Sequence, residues 1–479
     1  MGKREFTVLL VLAMCYAALA EAVAGYEGEK TEEGGERGRG VRDRGIFLLP
    51  ETKHVVKTDA GDMRLVRGFG GTLVQRRMHV GFITMEPKSL FVPQYLDSNL
   101  ILFVRRGEAK VGSIYKDRLV ESNLRSGDVY RIGAGSAFYL VNTAEGQKLH
   151  IIFSVDKSDE IGWGTFQSFF IGGGTYPTSV LSGFDSVTLS TAFNVSESEL
   201  AEIMTRQMAG PIMYLSDSAP STRFFQMNRE EKVRHLKKVV RFQSGESTKE
   251  EEKPTWSFRK ILKSVFSNEP EGENIGKKKS LDSYNIYDRK PDFKNNYGWS
   301  IALEESDYPP LERSGVGIYL VNLIAGSMMA PHVNPTATEY GIVLSGAGRI
   351  QVVFPNGSLA MDARVSEGDV FFIPRYFPFC QIASRTGPFE FFGFTTASQK
   401  NRPQFLIGKN SLMDLMRGPE FAAAYDVSED RLGEIIDAQE ESVILPSATV
   451  APSDEATLEE RETERVIRSL GSEMVMGFD

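Results

Sequence analysis

The chain repeats itself, and the repeat limits what it can fold into. Ala192-Phe-Asn-Val-Ser-Glu197, followed by Leu200-Ala-Glu-Ile203, returns as Ala424-Tyr-Asp-Val-Ser-Glu429 and Leu432-Gly-Glu-Ile435. Upstream, Ser126-Gly-Asp-Val-Tyr-Arg-Ile132 returns as Glu367-Gly-Asp-Val-Phe-Phe-Ile373, and Leu90-Phe-Val-Pro-Gln94 returns as Met328-Met-Ala-Pro-His332. The motifs keep the same order in both halves, as two copies of one plan would. Length agrees, because 479 residues exceed one ordinary core and suit two domains of about 150–200 residues with connections.

Each copy reads as strands and then helices. Short alternating and β-branched runs fill the first half from Phe47 (Val80-GFITME, Leu100-ILFVRRG, Leu149-HIIFSVD) and return from Trp299 (Gly317-IYLVNLI, Tyr340-GIVLSG, Phe389-EFFGFTT). Gly, Asp and Asn punctuate them, the pattern of a sandwich or barrel. The period then turns helical. Ser196 and Glu199 before Leu200-AEIMTRQM form a capping box, and Phe421-AAAYDVSEDRLGEIIDAQ is the second helical stretch.

Between Gly326 and Cys380 lies the chemistry. Gly326, five residues, His332, one residue, Asn334, four residues, Glu339, six residues and Gly346 resemble in spacing the first signature of the cupin barrel. Gly368-Asp369, an apolar strand and Pro374 resemble the second. Alternate residues of a barrel strand face the lumen, so His332 and Asn334 share an inward face and Glu339 joins them from the next strand. Metal-binding members of the family carry two His and a Glu on the first motif and a further His on the second. That set holds a transition metal and leaves positions open for substrate. Here Asn334 and Phe379 replace two of the ligands. Cys380 follows Phe379, and strict alternation turns it to the opposite face. A bulge after Pro374 or Pro378 would reverse this. His332, Glu339 and Cys380 would then suit copper or zinc. The other reading is a buried free cysteine beside a satisfied histidine. In the first half Gln94 stands for His332 and apolar residues near Leu100 stand for Glu339, so that barrel reads as packing.

Composition excludes further classes. Net charge is −9, against a nucleic-acid surface. Lys3-Arg4 before the apolar run from Phe6, ending Ala18-Leu19-Ala20, reads as a secretory signal peptide over residues 1–20, too short to span a bilayer. No other run is long enough for a membrane helix. Cys15 leaves with the signal, and the single remaining thiol, Cys380, forbids an intrachain disulfide. Asn194-Val-Ser196 and Asn356-Gly-Ser358 are glycosylation sequons, whereas Pro335 disqualifies Asn334. The segments expected are a disordered stretch (21–45), a first barrel with helices (46–227), a charged linker (228–298), a second barrel with helices (299–448) and an acidic disordered tail (449–479).

Two such barrels with helical extensions, behind a signal peptide and joined by a charged linker, resemble the vicilins, the 7S seed storage globulins. The residues carrying this are Leu90-FVPQY, Ser126-GDVYRIGAGSAFYLVN, Ala330-PHVNPTATEYGIVLSGAGRIQVVF, Glu367-GDVFFIPRYFPFCQIAS and Asn401-RPQFLIGKNSL. The resemblance implies a non-enzymatic nutrient reservoir, a head-to-tail homotrimer and delivery to the protein storage vacuole, with an extracellular destination as the alternative. The apolar stripe of Leu200, Ile203 and Met204, matched by Leu432, Ile435 and Ile436, agrees with assembly through the helices. The chain departs from bulk storage members, because 41% apolar and 25% charged residues are ordinary globular values. It is more similar to a divergent branch, some of whose members hold copper or a small acid in the second barrel. A metal- or ligand-binding cupin with a redox or antioxidant role is therefore the competing expectation. Arg349 and Arg375 would be the residues to receive an acid. A cupin oxidase or dioxygenase is disfavoured, because Asn334 and Phe379 remove two expected ligands.

Overall fold

The computed structural model describes residues 47–67, 78–115, 118–144, 146–156, 158, 166–215, 283–399 and 401–453. The expected signal peptide, the N-terminal stretch, most of the linker and the end of the tail lie outside the described residues. The rest is mainly β, as expected: two barrels, each followed by short helices.

The first barrel has two antiparallel sheets. One runs in the order Thr52–Thr58, Gly61–Val66, Met78–Met85, Leu149–Asp156, Leu100–Arg106, Asp128–Ile132, Tyr284–Asn285. The other runs Ser168–Phe170, Ser89–Leu96, Phe138–Asn142, Ala109–Tyr115, Arg118–Leu124, with Ile212–Tyr214 also on Ser89–Leu96. In the second barrel a single 15-residue strand, Glu339–Val353, serves both faces. Its first half pairs with Val370–Ile373 and Phe389–Thr395, and its second with Leu359–Ser366 and Phe379–Ala383. The strand turns between the faces at Gly346, whose φ of +78° places any Cβ 1.8 Å from the Pro388 carbonyl oxygen. Only glycine fits there.

Side-chain alternation divides the apolar residues among three large cores. Leu100, Leu102 and Val104 fill the first lumen, while Val343, Phe371, Phe379 and Phe391 help fill the second. The third core lies between the barrels. Ile101 and Phe103 from the first half meet Tyr340, Ile342, Phe392 and Phe394 from the second, and the Phe103 and Phe392 rings stack 3.9 Å apart. Strands buried on both faces explain the unbroken apolar runs of the sequence. All described residues accordingly fall in one compact unit, Gly45–Asp479.

The halves also exchange edge segments. Leu48 bridges Phe371, and the Leu49 amide donates to the Val370 carbonyl at 2.8 Å, so residues 47–49 complete the second barrel. Tyr284–Asn285 pairs with Asp128–Ile132 and completes the first. Residues 283–298, within the stretch expected as the charged linker, are among the described residues. Asn285 donates to Asp128 Oδ1 and the Ser126 carbonyl, both at 2.9 Å, and Ile286 is buried. Strands of two or three residues in a polar stretch leave no periodic signal. Of the stretch expected as the tail, residues 449–453 are described, and Ala451 is buried beside Cys380 and Ile382. The Ala451 carbonyl accepts from Arg385 Nε at 2.9 Å.

The capping box expected at Ser196 and Glu199 is present. Ser186–Phe193 ends at Asn194 in the left-handed region, and Glu197–Thr205 opens with the Ser196/Glu199 capping box. In the second half, Pro419–Ala424 and Glu429–Asp437 repeat the arrangement. Leu200 and Leu432 are buried at 4% and 5%, while Ile203 and Ile435 are exposed at 63% and 52%.

Candidate functional site

Strand pairing aligns the two lumens residue by residue. His332 opposes Phe379 as Gln94 opposes Phe138. Glu339 opposes Ile373 and Thr395 as Leu100 opposes Ile132 and Val155. Met329 opposes Gln381 as Phe91 opposes Leu140. The second lumen thus has polar side chains at His332, Glu339, Gln381 and Thr395 where the first has Gln94, Leu100, Leu140 and Val155. Gln94 is buried with neither amide atom hydrogen-bonded.

A cavity of about 190 Å³ occupies the second lumen. His332, Glu339, Gln381 and Tyr319 supply its polar groups, and Ile318, Val321, Met329, Phe391, Phe405 and Val443 much of its apolar wall. Asp292, Glu304 and Asn401 also line it.

His332 lies between the rings of Phe379, 4.0 Å away, and Phe405, 5.2 Å away. Its Nδ1–H donates to the Ala330 carbonyl at 2.7 Å. A carbonyl only accepts, so this bond fixes the tautomer and leaves a lone pair on Nε2. Burial lowers the imidazole pKa to about 4 despite that bond, so the ring is neutral. Burial raises Glu339 to about 7, countered only by the Asn334 amide, which donates to Oε1 at 2.8 Å. Asn334 Oδ1 in turn accepts from the amides of Thr336 and Ala337 at 3.1 and 2.9 Å. Asn334 therefore orders the turn and holds the carboxyl, and has no lone pair directed at a ligand.

The candidate metal set does not assemble. His332 and Glu339 share the cavity, but Cys380 faces the other way. Its strand, Phe379–Ala383, alternates strictly: Phe379, Gln381 and Ala383 face the lumen side, while Cys380 and Ile382 pack with Ala451. Cys380 Sγ lies 3.8 Å from Gln351 Oε1, and burial raises its pKa to about 11, leaving an unreactive thiol. The rearrangement that would bring it inward is absent from Phe379–Ala383; the irregularity lies in the opposite strand, between Met329 and His332. Among the described residues no group of three His, Cys, Asp or Glu side chains could hold a metal ion. One imidazole and one carboxyl do not fit copper or zinc, which take three or more protein ligands. The two arginines are elsewhere. Arg349 forms a bidentate pair with Asp362, and Arg375 lies over the Tyr376 ring. Neither lines the cavity.

Gln381 and Tyr319 are lumen residues that the sequence patterns did not single out. Gln381 stands two positions beyond Phe379, on the same face by alternation. Tyr319 lies over Gly393, where an added Cβ would sit 2.2 Å from the Tyr319 ring. In the first barrel the pair is inverted, with Gly81 under Phe153. The hydroxyl of Tyr319 and Oε1 of Gln381 are buried without partners among the described residues.

Both barrels match the Cupin family, over residues 51–200 and 284–431, and the fold defines a bicupin. A vicilin-like seed storage protein of Arabidopsis thaliana is 53% identical over 419 residues, 85% of this chain and 82% of its own. The vicilin of hazelnut, Corylus avellana, superposes with a TM-score of 0.66 at 22% identity, covering 84% of this chain and 97% of that one. The vicilin of Solanum melongena, described as holding different anionic ligands in structurally similar pockets, does so at 0.66 and 20%, covering 85% and 98%. The chain belongs to the vicilin-like seed storage protein family.

Proposed function

We propose that this protein is a storage globulin of the seed, a nutrient reservoir without catalysis, assembled as a homotrimer through its helical extensions. Family membership supports the storage role. The observation that carries the assembly is the matched pair of exposed apolar faces. Ile203 and Ile435 occupy equivalent helical positions and both point outward, while Leu200 and Leu432 hold the helices to their own barrels. Two unlike patches related by the internal repeat suit a closed ring of heterologous contacts. Sedimentation equilibrium of the mature protein tests this. A trimer is expected, and a monomer at micromolar concentration refutes it.

The sequence features support a route through the secretory pathway to the storage vacuole, with Asn194 and Asn356 as glycan acceptors. Both asparagines are exposed. Asn356 Oδ1 accepts from the Ser358 amide at 3.0 Å and its hydroxyl at 2.7 Å on a hairpin turn. Among the described residues no helix is long and apolar enough to cross a membrane. The second lumen is read as a pocket for a small organic molecule, with the outline of a metal centre and without its ligand set.

A further inference from the structure

The polar groups of the second lumen are matched in an unusual way. His332 Nε2 carries a lone pair because Nδ1–H is committed to Ala330. Glu339 receives one hydrogen bond, from the neutral Asn334 amide. Gln381 is 1% exposed and its Oε1 has no donor; the Tyr319 hydroxyl oxygen also lacks a partner. Among the described residues three carboxyls line the cavity, Asp292, Glu304 and Glu339, and no lysine or arginine does. Asp292 is balanced by Arg289 at 2.7 Å, and Glu304 Oε1 accepts from the Asn401 amide. Glu339, 5% exposed, has no cationic partner among the described residues. An anion entering here would be buried against a carboxyl with no counter-charge, a costly arrangement. A ligand with several donors and a positive charge meets acceptors that otherwise stay unpaired, and an ammonium offers three donors and no acceptor.

We propose that this lumen binds a small monoamine with an apolar body, its ammonium seated against Glu339, His332 Nε2 and Gln381 Oε1. Size agrees: an apolar cavity of about 150 Å³ admits a benzene ring, and this one is about 190 Å³. The apolar wall takes the hydrocarbon part, and the polar groups fix one end. The proposal replaces the small acid expected from the family resemblance with a ligand of opposite charge. The first lumen has Leu100 and Leu140 where the second has Glu339 and Gln381, so of the three acceptors only the His332 position keeps a polar side chain there, Gln94.

This rests on the second lumen being a metal-free pocket, and metal content measured on the same preparation tests that part separately. Benzylamine, benzyl alcohol and benzoate share a shape and differ in charge. Calorimetric titration of the assembled protein with each is the experiment. Benzylamine is expected to bind once per chain, at least tenfold tighter than benzyl alcohol, with benzoate not binding. Glu339→Gln and Gln381→Leu, the second copying the first barrel, are each expected to weaken benzylamine at least tenfold, while Glu108→Gln, an exposed carboxyl of the first barrel, leaves it unchanged. Each variant's melting temperature and sedimentation are followed alongside, so a folding defect is recognised. Benzoate binding tighter than benzylamine overturns the proposal. So does equal binding of all three, no binding of benzylamine, or benzylamine affinity unchanged in a folded Glu339→Gln protein.

Discussion

Replacing Glu339 by glutamine is expected to stabilise the protein, and by an amount that grows with pH. Burial raises the pKa of this carboxyl to about 7 from its ordinary value of 4.5. Below about pH 4.5 the group is protonated in both folded and unfolded chains and costs nothing. Between about 4.5 and 7 the unfolded chain releases the proton while the folded chain keeps it. Stability therefore falls as pH rises, by about 1.4 kcal/mol per pH unit. Above about pH 7 the penalty levels off near 3 kcal/mol. Glutamine has no proton to release, and its Oε1 still accepts from Asn334. The variant should match the wild type at about pH 4 and exceed it by about 3 kcal/mol at about pH 8. His332, with its pKa lowered to about 4 by burial, works in the opposite direction. Its contribution is present above about pH 6.5 and is lost as pH falls toward 4, but it is common to both proteins and cancels in the difference. Urea midpoints at about pH 4, 6 and 8, at one protein concentration, give the comparison. A pH-independent gap, or a wild type that gains on the variant as pH rises, refutes the reasoning.

Three further outcomes are expected. Phe392→Ala should cost about 3–5 kcal/mol and lower one common transition for both barrels, read by calorimetry. Two separated transitions would mean that the inter-barrel core does not couple them. Ile203→Asp and Ile435→Asp should each shift sedimentation from trimer to monomer while leaving the far-ultraviolet circular dichroism unchanged. In elemental analysis of purified mature protein, copper and zinc should be well below one per chain and indifferent to His332→Ala and Cys380→Ser; a stoichiometric metal lost in both variants would reinstate the metal reading.

The fold was legible because the repeat is long and its strands are regular. The equivalence of Gln94 with His332, and of Leu100 with Glu339, follows from motif spacing alone and reappears in the strand pairing. The side of the strand on which Cys380 lies was legible in principle, since alternation already turned it outward. What the sequence left open was whether a bulge would reverse it, and bulges leave no periodic trace. Gln381 and Tyr319 were missed for another reason. A lone Gln or Tyr in an apolar run is ordinary until its neighbours across the sheet are known. Tyr319 matters because Gly393 opposes it, a relation set by pairing across about 75 positions. The exchanged segments at 47–49 and 284–285 are too short for any pattern, and the contacts that order them come from the opposite half.

That exchange has a consequence in time. Chains emerge from the ribosome amino end first, at about 5–20 residues per second. The first barrel lacks its last edge strand until Tyr284–Asn285 appears. Phe47, Leu48 and Leu49 wait for Val370–Phe372, more than 300 residues later. An apolar triplet is thus left without its partner for tens of seconds, and the first half is incomplete when its own synthesis ends. Newborn chains of this protein should depend on chaperones to cover that triplet until the second barrel arrives.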